Sequence, residues 1–265
     1  MIDFKKKSVY RFDDLVAILR ILRAPDGCPW DRVQTHLSNR RNFLEEAYEA
    51  AEAFDRDDPD MMCEELGDVL MQVLFNVHME EDAGRFTFDD VTDRVCRKLI
   101  FRHPHIFGDG TAATGEQAPV NWEAIKREEK GLTTTADAME SVARSLPALW
   151  RADKLQSKAA KVGFEFPAVS GALDKLDEEV SELRRAVEEN TDPEEELGDV
   201  LFAAVKVGSF CGVDPEDALQ RTCEKFLSRF RRVEDAVSAQ GASMDRLSPD
   251  ELTALWNSAK HSSDD

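Results

Sequence analysis

Eight carboxylates stand out by their spacing. Glu46 and Glu49 lie three residues apart in the segment EEAYE, and Glu65 and Asp68 lie three apart in EELGD. The same intervals return as Glu179 and Glu182 in EEVSE, and as Glu196 and Asp199 in EEELGD. A separation of three puts both side chains on one helix face. Four carboxylates gathered from two antiparallel helices repel one another, and a hard divalent cation is the usual means of keeping such a group ionised. Mg²⁺ suits the set best, with Mn²⁺ as a substitute, because it takes a few carboxylates and leaves positions for water and phosphate oxygens. No Glu-x-x-His occurs on these stretches, which weakens a di-iron bundle as the rival. The bland alternative is a solvated helix face, since Glu46 and Glu49 fall on the far side of their helix from Leu44, Ala47, Tyr48 and Ala51. A solvated face has no reason to keep its spacing through a duplication, so the recurrence favours a ligand set.

Other residues recur with the acids. Lys98 and Arg102 are four apart, as are Lys225 and Arg229; Trp122 and Lys126 are four apart, as are Trp256 and Lys260. Cations can neutralise a phosphate tail, and an indole can stack on a base without demanding its identity. Taken singly, a snorkelling Lys/Arg pair and a core-plugging Trp explain these positions as well. His103 and His105 read as a turn around Pro104, and no chemistry is assigned to them.

The elements that must position the acids are helices. Leu66, Val69, Leu70, Val73, Leu74 and Val77 follow a helical period and predict one buried stripe, and Leu197, Val200, Leu201, Ala204 and Val205 repeat it. Strand signals are scarce. Turn-forming residues cluster at 109–121 and again at 131–138, and the second cluster predicts the boundary between two domains, 1–132 and 133–265. The expectation is an all-α chain of two tandem helical bundles.

Composition narrows the class of function. A net charge of −20 over 265 residues argues against holding a nucleic-acid backbone through basic patches. No apolar run approaches a signal peptide or a membrane span. The five cysteines form no CxxC pair and read as small buried hydrophobes in a reducing cytoplasm.

EEAYE followed by EELGD resembles the EExxE and ExxD signature of the MazG family. GCPWD at Gly27 to Asp31, RHPHIFG at Arg102 to Gly108, RSLPAL at Arg144 to Leu149 and EKFLSRF at Glu224 to Phe230 are similar to segments of its tandem-domain members. The resemblance covers nearly the whole chain. It implies an α-helical, usually dimeric enzyme that hydrolyses nucleoside triphosphates to monophosphate and pyrophosphate with Mg²⁺. On that resemblance Glu179, Glu182, Glu196 and Asp199 match the metal-binding acids, with Glu179 and Glu182 the expected catalytic pair. Lys225, Arg229, Trp256 and Lys260 match the nucleotide-binding positions. Glu46, Glu49, Glu65 and Asp68 match the acids equally well in the first half, with Lys98, Arg102, Trp122 and Lys126 as the counterpart nucleotide set. The halves differ in that GFEF (Gly163 to Phe166) stands where the first has GCPWD, and the second lacks HPHIFG. A homodimer is expected, because helices carrying acids on one face and apolar stripes on another need more cover than one short domain supplies. Two alternatives remain open: a nucleotide-sensing module without turnover, and a narrower pyrophosphatase for one nucleotide such as dUTP or phosphoribosyl-ATP.

Overall fold

A computed structural model describes residues 4–108 and 131–261. The chain divides into two compact units, Met1–Glu123 and Ala124–Asp265. Every regular element among the described residues is helical. The first unit contains α1 (Phe12–Arg23), α2 (Pro29–Val33), α3 (His36–Asp55), α4 (Pro59–Asp82), α5 (Phe88–Arg102) and α6 (Pro104–Phe107). The second contains α7 (Thr135–Glu140), α8 (Ala148–Ala160), α9 (Val169–Glu189), α10 (Pro193–Phe210), α11 (Pro215–Ala239), a 3-10 turn (Met244–Arg246) and α12 (Pro249–His261). None of these helices is long and apolar enough to cross a membrane.

The central feature of each unit is a helical hairpin, α3–α4 in the first and α9–α10 in the second. Both connections are three residues long, and both end in Asp-Pro: Asp58-Pro59 and Asp192-Pro193. The aspartate accepts hydrogen bonds from backbone amides of the new first turn, and proline at the first helical position gives up an amide that would have no partner there. Asn190 adopts the left-handed conformation (φ 53°) that closes α9. A connection this short forces its two helices side by side and antiparallel.

The line along which each first helix meets its partner has a seven-residue step. On α3 it runs through Asn39, Glu46 and Ala53, and on α9 through Ala172, Glu179 and Ala186. Each member of the second set lies 133 positions after its counterpart. Small residues beside the glutamate let the helices approach closely. This reverses the solvated-face alternative for Glu46, which sits half-buried toward α4 while Leu44 and Tyr48 are exposed; Glu49 is exposed, as that alternative expects.

The predicted apolar stripes are buried only at their C-terminal ends. In α4, Leu74 and Val77 are buried, with Phe75 and Met79 beside them, but Leu66 is 50% exposed and Leu70 is also exposed. The cause is length: α1 packs Leu15, Val16, Leu19 and Leu22 against Met71, Leu74, Phe75 and Met79, and leaves the acid-bearing end of α4 uncovered. The second unit does the same, with Val205 buried and Leu197, Leu201 and Ala204 exposed. A separate core joins α11 to α12 through Val233, Val237 and Ala259, with Leu255 and Trp256 packed against it. The cysteines correct a sequence expectation. Cys63, Cys96 and Cys223 are exposed on helix faces, Cys211 is exposed just past the end of α10, and Cys28 is half-buried just before α2.

Candidate functional site

Within each hairpin three of the four expected acids converge. Carboxylate oxygens of Glu46, Glu49 and Glu65 lie within 4.8 Å of one another, and so do those of Glu179, Glu196 and Asp199. Asp68 and Glu182 adjoin their groups, Glu182 acting on Glu196 and Asp68 on Glu46 as the leading charged neighbour. Glu182 is turned toward Arg185, 3.2 Å away. The electrostatics are those of a set short of positive charge. Partial desolvation, then the neighbouring carboxylates, raise Glu65 and Glu196 above the ordinary carboxylate range. Desolvation raises Glu46 too, against an opposing hydrogen bond from the Gln72 amide at 3.4 Å. Oxygen donors gathered this closely and reluctant to ionise fit a hard divalent cation, whose charge would reverse that shift. Each cluster can therefore coordinate a divalent metal.

The surroundings of the two clusters differ. In the second unit Glu179 is only 7% exposed and is held by Lys175 at 2.8 Å; the same ammonium reaches Glu178 at 2.9 Å. The two acidic partners raise the Lys175 pKa well above its usual value and keep it charged. Beside Glu179 and Asp199 opens a cleft of about 620 Å³ whose walls include Leu155, Gln156, Phe164, Phe166, Phe202 and Lys206. Gly163 (φ 83°) makes the left-handed turn that precedes Phe164 and Phe166 at the cleft. Glu165, between the two aromatics, is tied to the buried Lys206 of α10 at 2.6 Å. Acids, a clamped lysine and an aromatic cleft thus share one wall.

In the first unit the positions equivalent to Ala172 and Ala203 are Asn39 and Gln72. Their amides are buried and bonded at 2.8 Å, occupying the space beside Glu46. Further along α4, Glu80 is gripped by Arg85 and by His36, which also meets Asn76 at 2.8 Å. These partners hold the Glu80 carboxyl below its usual range and raise the His36 pKa.

The expected nucleotide residues lie on other helices. Lys225 is exposed and Arg229 half-buried on α11, while Lys260 is exposed on α12. Trp256 on α12 packs against Phe226, with ring centroids 5.1 Å apart. None of these four lines the cleft. Lys98 is exposed and Arg102 half-buried on α5. Trp122 and Lys126 lie outside the described residues. Spacing alone missed Lys175, Gln156, Lys206 and the Phe164–Phe166 pair. One signal was present, namely GFEF replacing GCPWD between otherwise parallel halves.

Comparison with known proteins bears on the same helices. The model of the MazG nucleotide pyrophosphohydrolase domain matches residues 34–107 and again 170–233, which span both acid hairpins. The chain is 40% identical over 255 residues to the nucleoside triphosphate pyrophosphohydrolase/pyrophosphatase MazG of Thermotoga maritima, covering 96% of this chain and 98% of that one. It is 40% identical to the nucleoside triphosphate pyrophosphohydrolase of Escherichia coli K12, covering 94% and 97%. It is 42% identical to the uncharacterized protein YabN of Bacillus subtilis, covering 97% of this chain and 53% of that one. The chain belongs to the MazG family of nucleotide pyrophosphohydrolases, in its tandem-domain form, and is an enzyme of the hydrolase class.

Proposed function

We propose that this enzyme hydrolyses both ribo- and deoxyribonucleoside triphosphates to the monophosphate and pyrophosphate, with broad base tolerance and with Mg²⁺, which Mn²⁺ replaces. The observation that carries the proposal is the convergence of Glu179, Glu196 and Asp199 beside a cleft large enough for a nucleoside. The printed names of the Thermotoga and Escherichia relatives support the same chemistry.

Glu179, Glu182, Glu196 and Asp199 would hold the ion in the second unit, and Glu46, Glu49, Glu65 and Asp68 in the first. The ion supplies polarisation of a phosphate oxygen and a more acidic water. The protein's own groups do the rest. Water attacks the α-phosphorus, the bond from that phosphorus to the bridging oxygen breaks, and pyrophosphate leaves with the electron pair. The proton lost by water passes to a carboxylate oxygen. Glu182, half-buried, is our choice for that acceptor, through the carboxylate oxygen it does not turn to the ion, with Glu179 held in place by Lys175. Lys225, Arg229 and Lys260 offset charge on the triphosphate, and Trp256 completes the nucleotide-binding set, with Lys98, Arg102, Trp122 and Lys126 in the corresponding role in the first half.

The exposed Leu66, Leu70, Leu197 and Leu201 beside the acids support a homodimer that covers them. Light scattering should report twice the 29.9 kDa chain mass; the single mass would end the dimer reading. We further propose that the repeats are domains spanning 1–132 and 133–265, that the enzyme works in the cytoplasm, and that it forms no stable complex with nucleic acid. The test of function is pyrophosphate release from a panel of NTPs and dNTPs with Mg²⁺. Release across the panel is expected. Turnover of a single nucleotide would favour a narrow pyrophosphatase, and none by folded protein a sensing module.

A further inference from the structure

We propose that the Lys206–Glu165 ion pair positions the substrate: it pins the Phe164–Phe166 segment to α10, so that the two rings form a wall for the nucleoside end of the triphosphate at a fixed place relative to the acids. This rests on the nucleotide reading above. The segment is tied to three helices of its unit. At its start the Phe164 amide donates to the Ala159 carbonyl of α8 at 3.1 Å. At its end Phe166 rests on α9, where a side chain at Gly171 would come within 3.2 Å of its ring. Between them the Glu165 carboxylate accepts from the Lys206 ammonium at 2.6 Å through one oxygen and from the Phe166 amide at 3.1 Å through the other. This third tie reaches α10, the helix that carries Glu196 and Asp199. Asp199 and Lys206 lie about two turns apart on it, and both line the cleft.

Packing alone does not account for a lysine at this position. Counted by the offset that relates Glu65 to Glu196, its counterpart in the first unit is Phe75, a buried core residue. Lys206 is 8% exposed, and an ammonium that buried is costly unless a carboxylate meets it. Glu165 is that carboxylate, and the Phe210 ring gives the ammonium a second contact at 5.3 Å from its centroid. Phe164 is 82% exposed and Phe166 37%, so both rings are open to a ligand in the cleft they line. Aromatic faces accept any base by stacking, which fits a site of broad base tolerance. A tie that acts through these rings governs how firmly substrate is held and leaves the chemical step largely alone.

Calorimetric titration with α,β-methylene-ATP and Mg²⁺, which reads binding without turnover, is paired with steady-state pyrophosphate release. Glu165→Gln and Lys206→Met should each weaken binding and raise KM about tenfold, with kcat changed by less than about threefold. Each leaves one buried charge unpaired and should also lower the melting temperature. The double variant removes both charges and should melt near wild type, because a buried ion pair exchanged for neutral groups is often no less stable. Its affinity should stay weakened, since the tie is still missing. In a Phe164→Ala/Phe166→Ala background, Glu165→Gln should change affinity by less than about twofold. Normal affinity in the folded single variants, affinity that returns with stability in the double variant, a full tenfold effect without the rings, or no binding by wild type would overturn the assignment. Should the single variants fail to fold, the double variant decides. The two readings fail separately: binding that the pair variants weaken, with no pyrophosphate from any natural nucleotide, removes the hydrolytic function alone. Brisk turnover with pair variants that bind like wild type removes only the positioning role.

Discussion

The two hairpins have the same length of turn, the same Asp-Pro start to their second helix and the same acids, yet they differ in what lies beside the acids. In α9–α10, Ala203 lies in the wall of a cleft, and Phe164 and Phe166, after the turn at Gly163, line it too. In α3–α4, Asn39 and Gln72 form a buried amide pair that also reaches Glu46. Ala203 against Gln72 thus separates a cluster beside a cleft from a cluster with a buried amide pair next to it. A duplicated set of acids that could hold a metal need not be a duplicated active site, because a substrate needs volume as well as charge.

The sharpest way to break that comparison is to remove one acid from each half. Glu182→Gln is expected to lower pyrophosphate release by a factor on the order of 10²–10⁴, the usual cost of losing a general base. Glu49→Gln should cost far less, and equal losses in steady-state assays would mean that both halves turn over substrate.

Metal binding should come next in size. At about one hundred times its dissociation constant, Mg²⁺ should stabilise the protein by about 2.7 kcal/mol, visible as a rise in melting temperature that EDTA reverses. Glu65 and Glu196 have raised pKa values when folded, so without metal their contribution is most favourable below the ordinary value of 4.5. It is lost as pH rises through the higher folded value. Magnesium affinity should climb over that same window, and an affinity flat from pH 4.5 upward would contradict the clustering of acids.

Asn39→Ala tests the packed side. It removes the donor to the buried Gln72 side-chain oxygen and should destabilise the first unit by about 1–3 kcal/mol in a denaturant melt, with little change in turnover. Ala203→Gln tests the open side by placing in the second unit the amide found in the first. It should raise KM by about tenfold, near 1.4 kcal/mol, with kcat less affected. A rise in kcat loss without any change in KM would argue that the cleft does not hold substrate.

Much of this was legible in the linear chain. Helical period, tandem duplication and the acid set all follow from local geometry, because residues three and four apart share a helix face in any context. The Asp-Pro turns that make the hairpins are equally local. The sequence could not say which face of α3 is inward: Leu44 and Tyr48 look like a core stripe and are exposed, while Glu46 lies on the helix–helix line. Nor could it say that α1 stops short of Leu66 and Leu70, or that the cysteines are exposed. Burial depends on what another element covers, and that is decided at long range. Lys175 lies three and four residues before Glu178 and Glu179, so its ion pairs follow from helix geometry, and only the burial of Glu179 needed the fold.

The sequence by itself determined that this protein is helical, duplicated and furnished twice with carboxylates at a spacing that suits a divalent cation. The tertiary structure alone decided how closely the acids of each set converge and that one cluster adjoins a cleft. The physical reason is that spacing along a helix fixes direction, whereas distance between helices and the empty volume beside them depend on side chains contributed from elsewhere in the chain.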